Sequence, residues 1–202
     1  MKQKLDNIKS DKAVILFTRI PEPGKVKTRM MPYLSPSECA ELQECCIKDS
    51  LEMLREVDVD IFVCYEPSGD RNLLAELCKE TNFIVQRGDD IGTRMKNGLS
   101  DVFDIGYKSV LLMGSDIPEV KSSDITDAFS QLQSCDTVIG PSQDGGYYLI
   151  GMNDIKPELF AQSSYGHGKV LDELLHIAAD NNIHVTLVAE HRDLDTKDDI
   201  LY

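Results

Sequence analysis

The sequence predicts a three-layer α/β/α fold in which helices cover both faces of a mixed, mostly parallel central sheet. Short apolar runs alternate with helical stretches along the whole chain, which is typical of a parallel sheet wrapped by helices. Two of these runs, residues 13–18 and 109–113, are almost unbroken aliphatic segments. Because strands buried on both faces have this composition, we expect these two at the centre of the sheet.

The elements follow from hydrophobic periodicity and from the residues that begin and end each segment. The predicted strands are residues 13–18, 60–65, 82–86, 109–113, 137–140, 146–152 and 184–189. The first helix begins at Ser35-Pro36-Ser37-Glu38, where Ser35 and Glu38 form a capping box and Pro36 suits the first helical position. Further helices are predicted over residues 71–79, 92–103, 123–133 and 169–180.

Length and charge restrict the organisation and the partners. A chain of 202 residues predicts one domain, residues 12–202, after a polar N-terminal arm, residues 1–11. The formal net charge of −14 disfavours nucleic acid and anionic membranes as partners, because both require a basic face. With no apolar stretch of roughly 20 residues and no secretory signal in the polar arm, a cytoplasmic protein is expected.

The cysteines and histidines carry no metal-binding spacing. The six cysteines are predicted to be buried reduced thiols, with redox chemistry of the Cys45-Cys46 pair as the alternative. They are Cys39, Cys45, Cys46, Cys64, Cys78 and Cys135. Three histidines, His176, His184 and His191, are interpreted as structural or exposed, and His167, between two glycines, as part of an exposed loop rather than a catalytic imidazole.

A proline-stiffened loop crowded with cations, residues 19–29, follows the first predicted strand; we call it the cationic loop. In an acidic chain this local positive charge indicates an anionic ligand. If the segment is extended, Lys25, Lys27 and Arg29 project to one side and surround a diphosphate, while Gly24 lets backbone amides approach. The alternative is a solvated basic surface loop. Neither a P-loop nor a G-x-G-x-x-G pattern is present.

An aspartate follows the fourth predicted strand, in the segment Gly114-Ser115-Asp116-Ile117-Pro118. Ligands of open α/β sheets bind outside the carboxyl ends of the strands, so a carboxylate at this position is well placed to contact one. Mg²⁺ and Mn²⁺ prefer oxygen ligands and often take only one or two protein carboxylates. Asp116 is therefore the first candidate metal ligand, with capping of the turn before Pro118 as the alternative.

The segment Gln143-Asp144-Gly145-Gly146-Tyr147-Tyr148 lies between two predicted strands. Asp-Gly-Gly is a strong hairpin signal, which explains both glycines without a ligand. The absence of side chains at Gly145 and Gly146 would also let a sugar or phosphate pass close to the backbone. Asp144 is then a candidate base or hydrogen-bond acceptor for an acceptor hydroxyl.

Two other segments offer weaker candidates. Asp195, beside Thr196 after the last strand, would supply a second metal oxygen opposite Asp116, although acidic segments are often only solvated. Residues 88–95 enter a predicted helix with acidic side chains in its first turn, where compensation of the helix dipole explains them without a ligand. Arg94 in the same segment is a candidate contact for a phosphate.

Five motifs, taken in this order, resemble those of one bacterial family. They are Pro21-x-Pro23-Gly24-x-Val26-Lys27-Thr28-Arg29, Gly88-Asp89-x-Ile91-Gly92-x-Arg94-Met95, Gly114-Ser115-Asp116-x-Pro118, Asp144-Gly145-Gly146-Tyr147-Tyr148 and Asp195-Thr196-x-Asp198-Asp199. From Ala13 to Ile200 the chain resembles the radical-SAM/selenodomain-associated transferases, uncharacterised glycosyltransferases of the GT-A, or nucleotide-diphospho-sugar transferase, fold. It is also similar to 2-phospho-lactate guanylyltransferase, which shares the Lys-Thr-Arg loop, the Asp-x-Pro strand end and the Asp-Gly-Gly turn.

The resemblance implies a nucleotide site. The cationic loop would hold the nucleotide phosphates, Asp116 would hold Mg²⁺ or Mn²⁺, and Asp195 would assist. One departure leaves the acceptor open: where the family commonly reads Trp-Ser-Thr ahead of its final helix, this chain has Tyr165-Gly166-His167.

Three functions follow as hypotheses. The first is metal-dependent transfer of a sugar from a nucleoside-diphosphate sugar to an unknown acceptor, which Asp144 orients or deprotonates, while the loop cations stabilise the departing diphosphate. The second is nucleotidyl transfer, which joins a nucleoside monophosphate from a triphosphate to a phosphorylated small molecule. The third is a nucleotide-binding module without turnover. The residues specify neither the nucleobase, the sugar nor the oligomeric state.

Overall fold

A computed structural model describes residues 10–161, 165–166 and 168–200 of the chain. The strands are β1 (Lys12–Thr18), β2 (Asp60–Tyr65), β3 (Asn82–Val85), β4 (Ser109–Gly114), β5 (Thr137–Pro141), β6 (Tyr147–Met152) and β7 (Val185–Leu187). The α-helices are α1 (Pro36–Arg55), α2 (Arg71–Leu77), α3 (Ile91–Ile105), α4 (Ser122–Gln131), α5 (Val170–Asp180) and α6 (Lys197–Ile200). Short 3-10 helices lie at Thr28–Met30 and Pro157–Phe160. All seven predicted strands and the five predicted helices are confirmed.

The seven strands form one mixed sheet in the order β3-β2-β1-β4-β6-β5-β7. Strand β6 runs antiparallel to both of its neighbours, β4 and β5, whereas the other pairs are parallel. The two aliphatic strands, β1 and β4, lie side by side in the middle of the sheet, as predicted. Their carboxyl ends therefore open next to each other, which is where the two strongest sequence motifs begin.

Helices cover both faces of the sheet, so the predicted three-layer fold is confirmed. Alternate residues of β1 face opposite layers: Val14 and Leu16 pack in one buried cluster, Ala13 and Ile15 in the other. Helices α1, α2 and α4 contribute to the first cluster, and α3, α5 and the 3-10 helix Pro157–Phe160 to the second. A strand buried on both sides needs apolar residues at every position, which explains the unbroken aliphatic run.

Helix α1 begins where the capping signal predicts. The backbone N–H of Glu38 donates to the Ser35 hydroxyl at 3.3 Å, and the Ser35 N–H donates to the Glu38 carboxylate at 2.7 Å. This reciprocal pair satisfies two backbone donors that a helix start otherwise leaves without partners. The first turn of α1 packs beside the cationic loop, where the Cys39 thiol donates to the Lys27 carbonyl at 3.5 Å.

Some sequence predictions fall outside the described residues or need correction. Residues 1–9 of the predicted arm, and His167, lie outside the part of the chain that the structure describes. All six cysteines are free and four are buried, but Cys45 is exposed and Cys135 half-buried, so full burial was wrongly predicted for these two. Adjacent helical residues point about 100° apart, and only Cys46 faces the core. None of the described helices is long and apolar enough to cross a membrane.

Candidate active site

A cleft of about 560 Å³ opens at the carboxyl ends of β1 and β4. Residues from both faces of the sheet and from the last segment of the chain meet there. It is lined by residues 17–19 and 26–29, by Gln43, by Gln86, Ile91 and Arg94, by residues 114–116, and by Asp195. The cleft thus occupies the position at which open α/β sheets bind ligands.

The cationic loop is folded into turns rather than extended. Residues 23–25 form a turn, and the 3-10 helix Thr28–Met30 follows. Gly24 has a φ of +82°, and Lys27 has φ 49° and ψ 37°, in the left-handed region that residues with a side chain seldom adopt. The prediction of an extended segment with its cations on one side is therefore wrong, since each turn reorients the side chains that follow.

Lys25 lies outside the cleft. Its Nζ forms an ion pair with Glu22 and donates to the Ser68 carbonyl at 2.9 Å. These three residues line a separate small cavity, and neither Lys25 nor Gly24 is among the residues that line the cleft. The structure therefore brings Lys27 and Arg29 together at the cleft without Lys25.

Lys27 is a buried cation paired with the aspartate after β4. Its side chain is 2% exposed, and its Nζ lies 3.0 Å from Oδ1 of Asp116. The same Nζ donates to the Leu194 carbonyl at 2.7 Å. Burial of a lysine is costly unless it is paired and hydrogen-bonded, and Lys27 is both. Asp116 bonds to Lys27 and Ser115, so the alternative role of capping the Pro118 turn is not the one observed.

The segment before α6 completes this charged end of the cleft. The Leu194 N–H donates to the Asp116 carbonyl at 2.9 Å, which holds Asp195 next to Asp116. Arg29 Nη1 lies 2.9 Å from Asp195 Oδ2. Two ion pairs, Lys27 with Asp116 and Arg29 with Asp195, therefore lie side by side, although their members are up to 166 positions apart in the chain.

A polar network that the sequence analysis missed supports Asp116 from below. The Gln43 amide donates to the hydroxyls of Thr18 at 3.1 Å and Ser115 at 3.0 Å, and these hydroxyls lie 2.9 Å apart. The Ser115 hydroxyl in turn donates to Asp116 Oδ1 at 3.3 Å. Thr18 ends β1 and Ser115 follows β4, so their position at strand ends could have identified them as site residues. Gln43 lies inside α1, where no sequence motif marks it.

The start of α3 forms the opposite side of the cleft. Asp90 caps this helix, accepting hydrogen bonds from the Thr93 N–H at 2.8 Å and its hydroxyl at 2.7 Å. Asp90 is thus the N-cap residue of α3, and no acidic residue lies in the first turn, so the predicted place of the acids within that turn is wrong, although their role at the helix start needs no ligand. Arg94 lines the cleft, with its Nε donating to the Gly88 carbonyl at 2.9 Å, so its position is compatible with a ligand contact.

The predicted hairpin connects β5 and β6, and Asp144 lies in its turn. Asp144 Oδ1 accepts hydrogen bonds from the Ser142 hydroxyl at 2.5 Å and the Gly146 N–H at 2.9 Å. Gly145 has a φ of +85°, and a Cβ there would lie 2.4 Å from the Gly168 carbonyl oxygen. The missing side chain at Gly145 thus accommodates the protein's own backbone.

Asp144 faces a second, adjoining cavity of about 380 Å³. This cavity is lined by Arg29, Gln143, Asp144, Arg192, Asp193, Asp195, Thr196 and Asp199. It shares Arg29 and Asp195 with the cleft, so the Arg29–Asp195 pair separates the two spaces. The structure therefore places Asp144 beside the charged end of the cleft rather than in it.

Negative charge accumulates where the two spaces meet. Burial raises the pKa of Asp193, which the sequence analysis did not single out, to about 7, and repulsion from Asp144 and Asp195 contributes. Burial also raises the pKa of Asp195, and Lys27 opposes this effect more strongly than Asp116 adds to it. The carboxylates at this point outnumber the cations that neutralise them, which favours binding of a further cation.

Asp116 and Asp195 suit a hard divalent cation. Within the described part of the chain, no group of three or more His, Cys, Asp or Glu side chains converges on one point. Each of these two carboxylates, however, keeps one oxygen to which no described residue donates: Oδ2 of Asp116 and Oδ1 of Asp195. Mg²⁺ commonly takes one or two protein carboxylates and completes its coordination with water and substrate oxygens, which fits these two oxygens.

A family model described as "Uncharacterized protein conserved in bacteria (DUF2064)" matches residues 50–167. The match covers more than half of the chain, and the chain belongs to this family. Asp116 and Asp144 fall within the matched residues, whereas Lys27 and Asp195 lie outside them.

A solved structure from Desulfovibrio desulfuricans G20, described as that of a candidate nucleotide-diphospho-sugar transferase, is 34% identical to the chain. It superimposes with a TM-score of 0.87, over 93% of this chain and 83% of the other. The predicted nucleotide-diphospho-sugar transferase fold is confirmed.

Two curated relatives are named 2-phospho-L-lactate guanylyltransferase. The one from Methanocaldococcus jannaschii is 29% identical over 131 residues, which is 63% of this chain and 54% of the relative. The one from Methanobrevibacter smithii is 27% identical over 132 residues, 64% of this chain and 57% of the relative. The chain thus matches little more than half the length of each.

Proposed function

We propose that this member of the DUF2064 family is a metal-dependent nucleotidyltransferase that joins a nucleoside monophosphate from a nucleoside triphosphate, GTP first, to a small acceptor. The observation that carries the proposal is the meeting of Lys27, Arg29, Asp116 and Asp195 at the ends of β1 and β4. Similarity to the guanylyltransferases supports the choice of reaction and of GTP.

In this reaction an oxygen of the acceptor attacks the α-phosphorus, the bond from that phosphorus to the bridging oxygen breaks, and pyrophosphate leaves. Negative charge grows on the leaving pyrophosphate. Lys27 and Arg29 are preorganised cations at the cleft, and preorganised charge is the most effective means of stabilising such a group. An acceptor that attacks through a phosphate oxygen is already anionic and needs no general base.

Asp116 and Asp195 would hold Mg²⁺ or Mn²⁺ through their remaining oxygens. When bound, the ion would neutralise part of the negative charge of the phosphates. Lys27 and Arg29 then have two functions: they balance the carboxylates in the free protein and contact the phosphates in the complex. Asp116 is held in position, in the free protein and in the complex, by the hydrogen-bond network of Gln43, Thr18 and Ser115.

Transfer of a sugar from a nucleoside-diphosphate sugar is the second candidate, and the position of Asp144 favours it. A hydroxyl acceptor requires a base, and Asp144 lies in the adjoining cavity next to the Arg29–Asp195 pair. Similarity to the candidate nucleotide-diphospho-sugar transferase also supports this reaction. The same phosphate and metal residues serve both reactions, so the choice between them depends on the group that leaves.

The two reactions are separated by their products. The protein is incubated with Mg²⁺ or Mn²⁺ and either nucleoside triphosphates or nucleotide sugars, with phosphorylated hydroxy acids, including 2-phospho-L-lactate, and with neutral polyols as acceptors. Pyrophosphate released from GTP only when an acceptor is present supports nucleotidyl transfer. Acceptor-dependent release of a nucleoside diphosphate from a nucleotide sugar supports the second candidate, and binding without either product indicates a non-catalytic module.

A further inference from the structure

A second buried glutamine, Gln86, lies in the floor of the cleft immediately after β3. Gln86 is 7% exposed, and its Nε2 donates to the carbonyl oxygens of Thr18 at 3.0 Å and Cys64 at 3.1 Å. Its backbone N–H donates to the Tyr65 carbonyl at 2.8 Å. The side-chain amide is thereby held between the carboxyl ends of β1 and β2.

The chemistry of these partners fixes the orientation of the amide. Both are carbonyl oxygens, which only accept, so the nitrogen of Gln86 must face them. An amide nitrogen has two hydrogens, and the two carbonyls use both. The group that remains is Oε1, to which no described residue donates a hydrogen bond. Gln86 therefore offers the cleft an acceptor and no donor.

Gln43 differs from Gln86 although it lines the same cleft and is equally buried. Its amide nitrogen donates to the hydroxyls of Thr18 and Ser115, and Ser115 donates its own proton to Asp116, so Gln43 belongs to the network that supports Asp116. It also lies on the side of Asp116, through Ser115, whereas Gln86 lies on the β2 side of β1. The two glutamines thus lie on the Asp116 side and on the β2 side of one cleft.

A polyphosphate carries only acceptors at neutral pH and cannot bond to Oε1 of Gln86, but a nucleobase has N–H donors at its edge. With the phosphates beside Lys27 and Asp116, the base of the same ligand extends toward β2 and α3. There Ile91 presents an apolar side chain and Arg94 a planar cation, which are suitable surfaces for a flat ring.

We infer that Gln86 determines nucleobase specificity by accepting a hydrogen bond from a ring N–H or exocyclic amino group of the bound nucleotide. The inference rests on the proposed function, because it takes the ligand to be a nucleotide whose phosphates occupy the Lys27 end. A base without a donor at that position leaves Oε1 buried against the ligand without a partner, which costs affinity.

The first test uses the unmodified protein and calorimetric titration with Mg²⁺ and four ligands: GTP, ITP, N1-methyl-GTP and 2′-deoxy-GTP. ITP lacks only the exocyclic amino group of guanine, whereas N1-methyl-GTP replaces the ring N–H with a methyl group, so a loss of affinity for ITP is the cleaner sign of a lost hydrogen bond. We expect at least one of these two to bind about tenfold more weakly than GTP or worse. Equal affinities within twofold for the three ribonucleotides, or a loss confined to 2′-deoxy-GTP, would overturn the assignment of Gln86 to the base.

The second test compares Gln86→Met with Gln43→Met, each checked by its melting temperature and circular dichroism. The quantity measured is the ratio of the weakest to the tightest dissociation constant among GTP, ATP, CTP and UTP. We expect this ratio to be about tenfold or more in the unmodified protein, to fall below about threefold in Gln86→Met, and to persist in Gln43→Met. A merely structural role for Gln86 would weaken all four nucleotides alike and leave the ratio unchanged.

The outcomes separate the two levels of the proposal. If nucleotides bind but the ratio survives in a folded Gln86→Met protein, the role of Gln86 is wrong and the proposed function stands. If no nucleotide binds the unmodified protein, the proposed function fails and this inference fails with it. If Gln86→Met does not fold, the titrations of the unmodified protein with base analogues decide the inference alone.

Discussion

Two lysines of the cationic loop, Lys25 in its first half and Lys27 in its second, carry the same charge but lie in opposite environments. In the first half, Lys25 is 56% exposed, pairs with Glu22 three positions away, and lines only a small cavity beside the loop. In the second half, Lys27 is 2% exposed and pairs with Asp116, which lies at the end of another strand. Two positions along the chain separate a surface cation from a buried one.

The comparison shows what burial adds to a charge. The Lys25–Glu22 pair is screened by the water around the exposed lysine, and such surface pairs contribute little to stability. A buried lysine carries a large desolvation cost, so its presence indicates that the fold supplies partners for it. Lys27 has two, Asp116 and the Leu194 carbonyl, and a phosphate would meet it already desolvated and positioned.

The largest expected effect comes from removing the carboxylate at the buried end. Asp116→Ala should lower turnover by at least about a hundredfold, because it removes the proposed metal ligand and leaves the buried Lys27 without its counter-charge. Asp116→Asn is the matched control: it keeps the shape and an oxygen for Lys27 but removes the charge. Pyrophosphate release measures both. Near-normal turnover in either folded variant would contradict the metal assignment.

Lys27→Met tests the buried cation itself. We expect the rate of pyrophosphate release to fall by about thirtyfold, since the variant loses the buried cation 3.0 Å from Asp116. The melting temperature should drop by only a few degrees, because Met retains the apolar volume and the Asp116 carboxylate, 38% exposed, stays in contact with water. Unfolding of this variant would indicate that the main role of Lys27 is to stabilise the fold.

Arg29→Lys tests whether the second pair needs the planar guanidinium. Arg29 is 67% exposed and contacts Asp195 at 2.9 Å, so a lysine keeps the charge but loses the forked geometry that suits phosphate. We expect KM for the nucleotide to rise about fivefold, with kcat changed less than threefold, in steady-state assays. A fall in kcat with KM unchanged would instead show that the fork, and not only the charge of Arg29, is needed to stabilise the leaving pyrophosphate.

Lys25→Met should have the smallest effect and serves as the control for Lys27→Met. The same substitution two residues earlier removes only an exposed pair outside the cleft, so turnover and nucleotide affinity should stay within about twofold. The comparison fails if Lys25→Met matches Lys27→Met in either measurement, because exposure would then not distinguish the two halves of the loop.

Most of the fold was accessible from the sequence, because the signals for it are local. The capping box at Ser35 and Glu38 starts α1 where predicted, and the Asp-Gly-Gly turn joins β5 to β6. The aliphatic runs placed β1 and β4 at the centre of the sheet. The antiparallel direction of β6 follows from its short hairpin with β5, since a parallel pair needs a longer crossover.

The site was accessible only in part. The motifs around Lys27, Asp116 and Asp195 were identified, but the prediction that Lys25 would join them assumed an extended loop. Gln43 and Gln86 were missed, because a glutamine inside a helix or after an edge strand carries no sign of what it contacts. Binding of phosphate, metal or base by any of these residues stays a prediction until the experiments above are done.

By itself, the sequence determined which strands and helices follow one another along the chain, the three-layer arrangement and the segments that hold charge. These features depend on hydrophobic periodicity and turn residues, which act over a few neighbouring positions. Only the tertiary structure decided which cations are buried, which carboxylates face them and which way the Gln86 amide is turned. These depend on contacts between residues far apart in the chain, such as Arg29 with Asp195, and on the loss of water around them.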